Sequence, residues 1–253
     1  MNDTSSVFEP QSTAGIRSFR DLRRFAQEIT GFRPNYLPAQ GDAFQVQRRS
    51  LFKAEEAVDV GAIDLPRGQG RVDETAADEF IIVFDGAVSL TQDSGPVEML
   101  AGNSAVIPRG ASFSWRTDGP TTLIYLRHKS KPADATAVVR IDESATLQPS
   151  GTPPVELLIG ATPACRNYTD YRSADGELTC GTWDSTPYRR KAMLFGHCEL
   201  MHLLEGAVTL EDEAGNRRTF MKGDILVVEQ GARCSWDSFQ QVKKVYATFR
   251  PAP

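Results

Sequence analysis

The chain has 253 residues, 40% hydrophobic and 24% charged, with a net charge of −5 and an isoelectric point near 5.3. So acidic a chain offers no basic stripe to neutralise phosphates, which argues against a nucleic-acid surface. No apolar run approaches the roughly 20 residues that span a bilayer, and the start, MNDTSSVFEPQ, has no basic segment ahead of an apolar core; a cytoplasmic protein without a membrane partner is expected.

In chain order, residues 1–44 read as an extension. Its SFRDLRRFAQEIT stretch, 18–30, places Phe19, Leu22, Phe25 and Ile29 on one helical face, with Ser18 and Asp21 spaced as a capping box and Gly31 as a stop. Residues 45–127 hold short strands rich in Val, Ile, Leu and Phe, broken at Asp93 to Gly95, Gly102-Asn103 and Pro108 to Gly110. Residues 128–154 have the Lys, Pro, Ser and Thr content of a linker, with VVRI at 138–141 as a candidate strand and His128 at an exposed edge. Residues 155–253 return to short strands and turns. Cys165, Cys180, Cys198 and Cys234 form no CxxC pair and suit reduced, buried thiols.

The two strand-rich regions are copies of one unit. Setting EFIIVFDGAVSLTQDSG (79–95) over ELMHLLEGAVTLEDEAG (199–215) aligns Glu79 with Glu199, Gly86 with Gly206 and Gly95 with Gly215. After one inserted residue, Gly102 meets Gly223, Trp115 meets Trp236 and Tyr125 meets Tyr246, while upstream VGAID (60–64) falls on CGTWD (180–184). One register held this long marks two tandem domains. With no long helical pattern between strands, each is an all-β sandwich or barrel. FIIVF (80–84) and LMHLL (200–204) are apolar on both faces, so the sister domain or a second subunit, as in a homodimer, must cover one of them.

The pattern G-x5-P-x-G-x-x-F-x-W (Gly102 to Trp115), its partner ending at Trp236, and the glutamate and glycine turn ahead of each resemble the two motifs of the cupin superfamily. The second copy, through Lys243-Lys244-Val245-Tyr246, is similar to the ureidoglycine aminohydrolase-type cupin domain family, many of whose members have no assigned function. The resemblance implies a bicupin of two RmlC-like jelly-roll barrels, each with a central pocket. Metal-binding cupins supply H-x-H and a glutamate from the first motif and a histidine from the second. Here the glutamates match at Glu79 and Glu199. The positions before Glu199 hold Ala192, Met193, Leu194 and Phe195, those before Glu79 hold Val72, Asp73, Glu74 and Thr75, and the second motif has Cys234 or Phe113. A divalent metal suits the fold, but the usual histidines are absent, so the cofactor stays open.

GHCELMHLLEGAV (196–208) supplies the remaining candidates. Residues two apart on a strand share a face, so His197 and Glu199 look inward, while Cys198, Leu200 and His202 look outward, His202 as a histidine of a packed interface. The metal candidates are therefore His197, Glu199 and Cys234. Without a metal, His197 and Glu199 are the catalytic candidates, provided that burial raises the glutamate's pKa; otherwise Glu199 is a structural acid bonded to Arg190, Lys191 or backbone. Trp183, Cys234 and Trp236 in the second unit, and Glu79, Phe113 and Trp115 in the first, are the expected pocket walls or core. The function expected is binding, or also transformation, of a small polar metabolite in the second barrel. The alternatives are a non-catalytic binding protein and a structural, oligomeric bicupin.

Overall fold

The computed structural model of the protein describes residues 17–30, 41–52, 57–132 and 134–252. The chain is all-β in two units, each a jelly-roll barrel closed from a large and a small antiparallel sheet. The first unit's large sheet runs Val139–Arg140, Ser104–Ile107, Asp78–Asp85, Thr121–His128, Val58–Leu65 and Arg48–Ser50. It faces Gly68–Val72, Phe113–Thr117, Ala87–Gln92 and Gly95–Leu100. The second unit's large sheet runs Phe19–Asp21, Ile225–Val228, Cys198–Glu205, Val242–Phe249, Leu178–Ser185, Cys165–Arg172 and Gln148–Pro149. It faces Tyr188–Leu194, Arg233–Ser238, Ala207–Glu211 and Arg217–Met221. The duplicated glycines turn equivalent hairpins: Gly86 and Gly206 have φ of 84° and 76°, and a Cβ on Gly206 would lie 2.1 Å from the Gln241 carbonyl oxygen. Only glycine fits there.

The strands that are apolar on both faces divide their side chains by period two. Along Asp78–Asp85, Ile81 and Val83 enter the first barrel's core, whereas Phe80 and Ile82 point away from it. Along Cys198–Glu205, Met201 and Leu203 enter the second core, whereas Cys198 and Leu200 point away. The two outward faces pack on each other, together with Val60, Leu126, Val245 and Ala247, so the sister barrel supplies the missing cover. His202 is buried at this interface with its Nδ1 unpartnered. Burial, assisted by Arg23, pushes its pKa down to about 4.

Each unit's leading segment joins the other unit. Val139–Arg140, ahead of the second barrel, pairs with Ser104–Ile107 of the first. Phe19–Asp21, ahead of the first barrel, pairs with Ile225–Val228 of the second, the counterpart strand. This corrects the expected helix, which spans Leu22–Thr30 rather than 18–30. The open edge of the second large sheet offers residues 19–21 backbone partners that a first helical turn lacks. The Ser18 hydroxyl accordingly turns to Asp212, and Asp21 caps the helix by accepting from the Arg24 backbone N–H at 3.1 Å. Leu22, Ala26 and Ile29 form the buried face; Gly31 lies outside the described residues. The exposure expected for His128 is likewise overturned: only 6% of it is exposed, because Asp175 and Glu177 of the second unit close over its ring.

Candidate functional site

The second barrel opens into a cavity of about 470 Å³, within the usual range for small-ligand pockets. Strand parity builds its walls. Lys244, Tyr246 and Thr248 alternate along Val242–Phe249 and all line it, as do Thr179 and Trp183 on Leu178–Ser185, and Cys165 and Asn167 on Cys165–Arg172. His197 and Glu199 enter from the neighbouring strand and its approach, and Tyr188, Arg190 and Trp236 from the small sheet. Pro153 and Pro154, from the segment between the barrels, also line the cavity. Tyr188 and Trp236 stack at 5.7 Å, and Trp183 meets Trp236 edge-on at 6.1 Å, which gives the cavity an aromatic wall.

Glu199 is the electrostatic centre. Its Oε1 accepts from Lys244 Nζ at 2.8 Å, and its Oε2 faces His197 Nε2 at 3.4 Å. Lys244 is itself buried, with Nζ 4.7 Å from the Trp183 ring and 5.3 Å from the Trp236 ring, and it also reaches the Met201 sulfur. Burial opposes the glutamate's charge, but the Lys244 ammonium and the His197 hydrogen bond outweigh it and hold the carboxyl well below the usual carboxylate range. The expected raised pKa of a general acid is not found. Arg250 Nη2 lies 3.0 Å from His197 Nδ1; a guanidinium only donates, so Nδ1 accepts and the ring proton sits on Nε2, towards Glu199.

Arg190 is a different kind of cation. It is 5% exposed, donates to the carbonyls of Cys234 at 2.7 Å and Lys191 at 3.3 Å, and lies over the Phe195 ring at 5.3 Å. Burial pushes its pKa down. Among the described residues it has no ion pair with a carboxylate.

The donor set of this barrel does not fit a metal ion. Lys244 occupies one oxygen of Glu199, and both ring nitrogens of His197 are engaged. Cys234 packs in the core and does not line the cavity, and burial pushes its thiol up to about 11, far from the thiolate that ligates metals. Among the described residues, His197, Glu199 and Cys234 do not converge; the one converging group of three ligands is His128, Asp175 and Glu177.

In the first barrel Glu79, Phe113 and Trp115 are 2%, 1% and 3% exposed. Residues 42–48 fill the corresponding space. Arg48 Nη1 bonds Glu79 at 2.6 Å and lies over the Phe44 and Tyr125 rings, Phe44 meets Phe113 edge-on at 5.2 Å, and Asp42 accepts from the Trp115 indole at 2.9 Å. Sequence reasoning named Trp183, Trp236, His197 and Glu199, all of which line the second cavity, but missed Lys244, Tyr246 and Tyr188 as walls. The period-two run Lys244, Tyr246, Thr248 is the signal that was there to find.

The EutQ-like cupin domain family model matches residues 52–125 and 172–246, one copy in each barrel. A protein of unknown function from Pseudomonas syringae pv. tomato, placed in the DUF861 family, is 31% identical with a TM-score of 0.77, over 83% of this chain and 90% of that one. Salicylate 1,2-dioxygenase from Pseudaminobacter salicylatoxidans, 14% identical with a TM-score of 0.58 over 92% of this chain and 84% of that one, shares the fold. So does protein Ylba from E. coli, 11% identical with a TM-score of 0.57 over 96% and 97% of the two chains. No functionally curated protein matches the sequence.

Proposed function

The chain belongs to the EutQ-like cupin domain family, and from that premise we propose that its second barrel is a metal-independent pocket for a small carboxylate with a flat or apolar body. The carrying observation is Arg190, a buried guanidinium that lines the cavity without a carboxylate partner among the described residues. A buried guanidinium that Tyr188 hydrogen-bonds and Glu199 attracts without forming an ion pair stays under-compensated, and a ligand carboxylate supplies a closer counter-ion. Trp183, Trp236 and Tyr188 offer faces to the ligand's body. On this reading Glu199 and His197 hold Lys244 and Arg250 in place; a carboxyl kept ionised by an ammonium is a poor general acid at neutral pH. The reaction of ureidoglycine aminohydrolases is not carried over, because Ala192, Met193, Leu194 and Phe195 stand where metal-binding cupins supply histidines.

The test is calorimetric titration of the full chain with small aliphatic and aromatic carboxylates, each beside its neutral amide. The expected result is saturable binding of a carboxylate, rejection of its amide, and weakening on the order of 100-fold in Arg190→Met. Absence of carboxylate binding at millimolar concentration, or unchanged affinity in Arg190→Met, would overturn the reading.

A further inference from the structure

We propose that His128, Asp175 and Glu177 form a divalent-metal site that fastens the first barrel to the second. His128 ends the last strand of the first barrel, Thr121–His128. Asp175 and Glu177 lie in the turn that joins Cys165–Arg172 to Leu178–Ser185 in the second.

The case begins with the imidazole. His128 Nδ1 lies 3.1 Å from the carbonyl oxygen of Ala57. A carbonyl only accepts, so Nδ1 carries a proton, and Nε2 of the neutral ring presents a lone pair. That lone pair faces Asp175 Oδ2 at 3.1 Å and Glu177 Oε2 at 3.3 Å. The ring is held from the side by Phe249, with centroids 4.6 Å apart. A histidine whose far nitrogen donates to a backbone carbonyl is oriented as metal-bound histidines usually are.

Each carboxylate uses its other oxygen as an anchor. Asp175 Oδ1 accepts from the Ser173 hydroxyl at 2.6 Å and the Glu177 backbone N–H at 3.1 Å. Glu177 Oε1 accepts from the Ala252 backbone N–H at 2.8 Å. The remaining oxygens turn to His128, and Asp175 Oδ2 also receives the Lys131 backbone N–H at 3.3 Å. Side-chain exposures of 7%, 14% and 22% for His128, Asp175 and Glu177 place the group largely out of water. Two negative charges and a nitrogen lone pair converging there require a cation, either a proton on Nε2 or a metal ion.

The spacing favours a small first-row divalent ion. Ligand bonds of about 2.0–2.2 Å in tetrahedral geometry put donor atoms roughly 3.3–3.6 Å apart. The observed 3.3 and 3.1 Å lie at and just below the short end of that spacing, so small outward shifts of the carboxylates would admit an ion. All three donor atoms lie within 4.8 Å of one another. Calcium is a poorer match, since it asks for about 6–8 oxygens at longer range. Three protein ligands leave a fourth position for water. With donors from both barrels, the ion would resist their separation.

The experiment is titration of chelator-treated full chain with zinc at pH 7, followed by calorimetry and by thermal unfolding. One equivalent should bind and raise the unfolding temperature in a concentration-dependent way. His128→Gln and Glu177→Gln should each weaken binding by roughly 100-fold. Glu177 is the most exposed of the three, so its variant keeps the test decisive should His128→Gln fail to fold. No saturable uptake, or uptake that survives Glu177→Gln and disappears in His197→Gln, would overturn the proposal.

Discussion

The two barrels descend from one repeated unit yet use their interiors in opposite ways. In the first, Glu79 meets Arg48, which comes from the strand Arg48–Ser50 and lies between the Phe44 and Tyr125 rings. In the second, Glu199 meets Lys244 from the adjacent strand Val242–Phe249, whereas the strand of Arg48 lies two strands further out on the same side of its sheet. The register makes the exchange explicit. Arg48 pairs with Ile63, and Asn167 pairs with Trp183, the counterpart of Ile63. Asn167 therefore stands at the Arg48 position, while Leu123 precedes the matched pair Tyr125 and Tyr246 by the same two residues as Lys244. Moving the cation from the edge strand to a central one, and withdrawing the Phe44 plug, leaves the second barrel with space and with Arg190 beside it. The duplicated glutamate thus marks the scaffold, and its partner cation marks the use.

The comparison can be broken at its plug. Phe44 is 1% exposed, and Phe44→Ala should cost about 4 kcal/mol in urea denaturation. It should not create carboxylate binding, because Arg48 remains paired with Glu79. Lys244→Met, which leaves Glu199 without its counter-ion, should cost about 3 kcal/mol, and adding Glu199→Gln should recover much of the loss. A comparable rescue in the Arg48→Met, Glu79→Gln pair would make the two ion pairs energetically alike; failure of rescue in the second barrel would deny Lys244 its part.

The interface gives a pH signature. Above pH 6.5 His202 is neutral in folded and unfolded chains alike. Between about 6.5 and 4 the unfolded chain takes up a proton that the buried ring refuses, so stability falls as pH falls, by about 3 kcal/mol. The profile for His202→Leu should be flatter over that interval, and an unchanged slope would assign the acid sensitivity elsewhere. The smallest effect expected is at the matched tyrosines. Tyr246 bonds Thr169 at 2.9 Å, whereas Tyr125 has both Ser50 at 3.3 Å and Asp59 at 3.1 Å. Thr169→Val should cost about 1 kcal/mol and Ser50→Ala less, by thermal or chemical unfolding.

Much of this was legible in one dimension. The offset that pairs Gly86 with Gly206 and Trp115 with Trp236 announces two barrels, and the alternation through His197, Glu199 and His202 assigns faces, because strand periodicity is a local property. The same local reading misjudged residues 18–21, whose conformation is settled by a sheet edge some two hundred residues away in the chain, and His128, which a later turn buries.

The sequence by itself therefore determined the duplicated all-β architecture, the inward glutamates and the absence of the customary histidine ligands. Tertiary structure alone decided which cation each glutamate meets, that Phe44 closes one barrel while the other stays open, and that His128 meets Asp175 and Glu177 across the junction. The reason is physical: the side a residue faces follows from its own strand, whereas its partners follow from pairing register and domain packing between segments far apart in the chain.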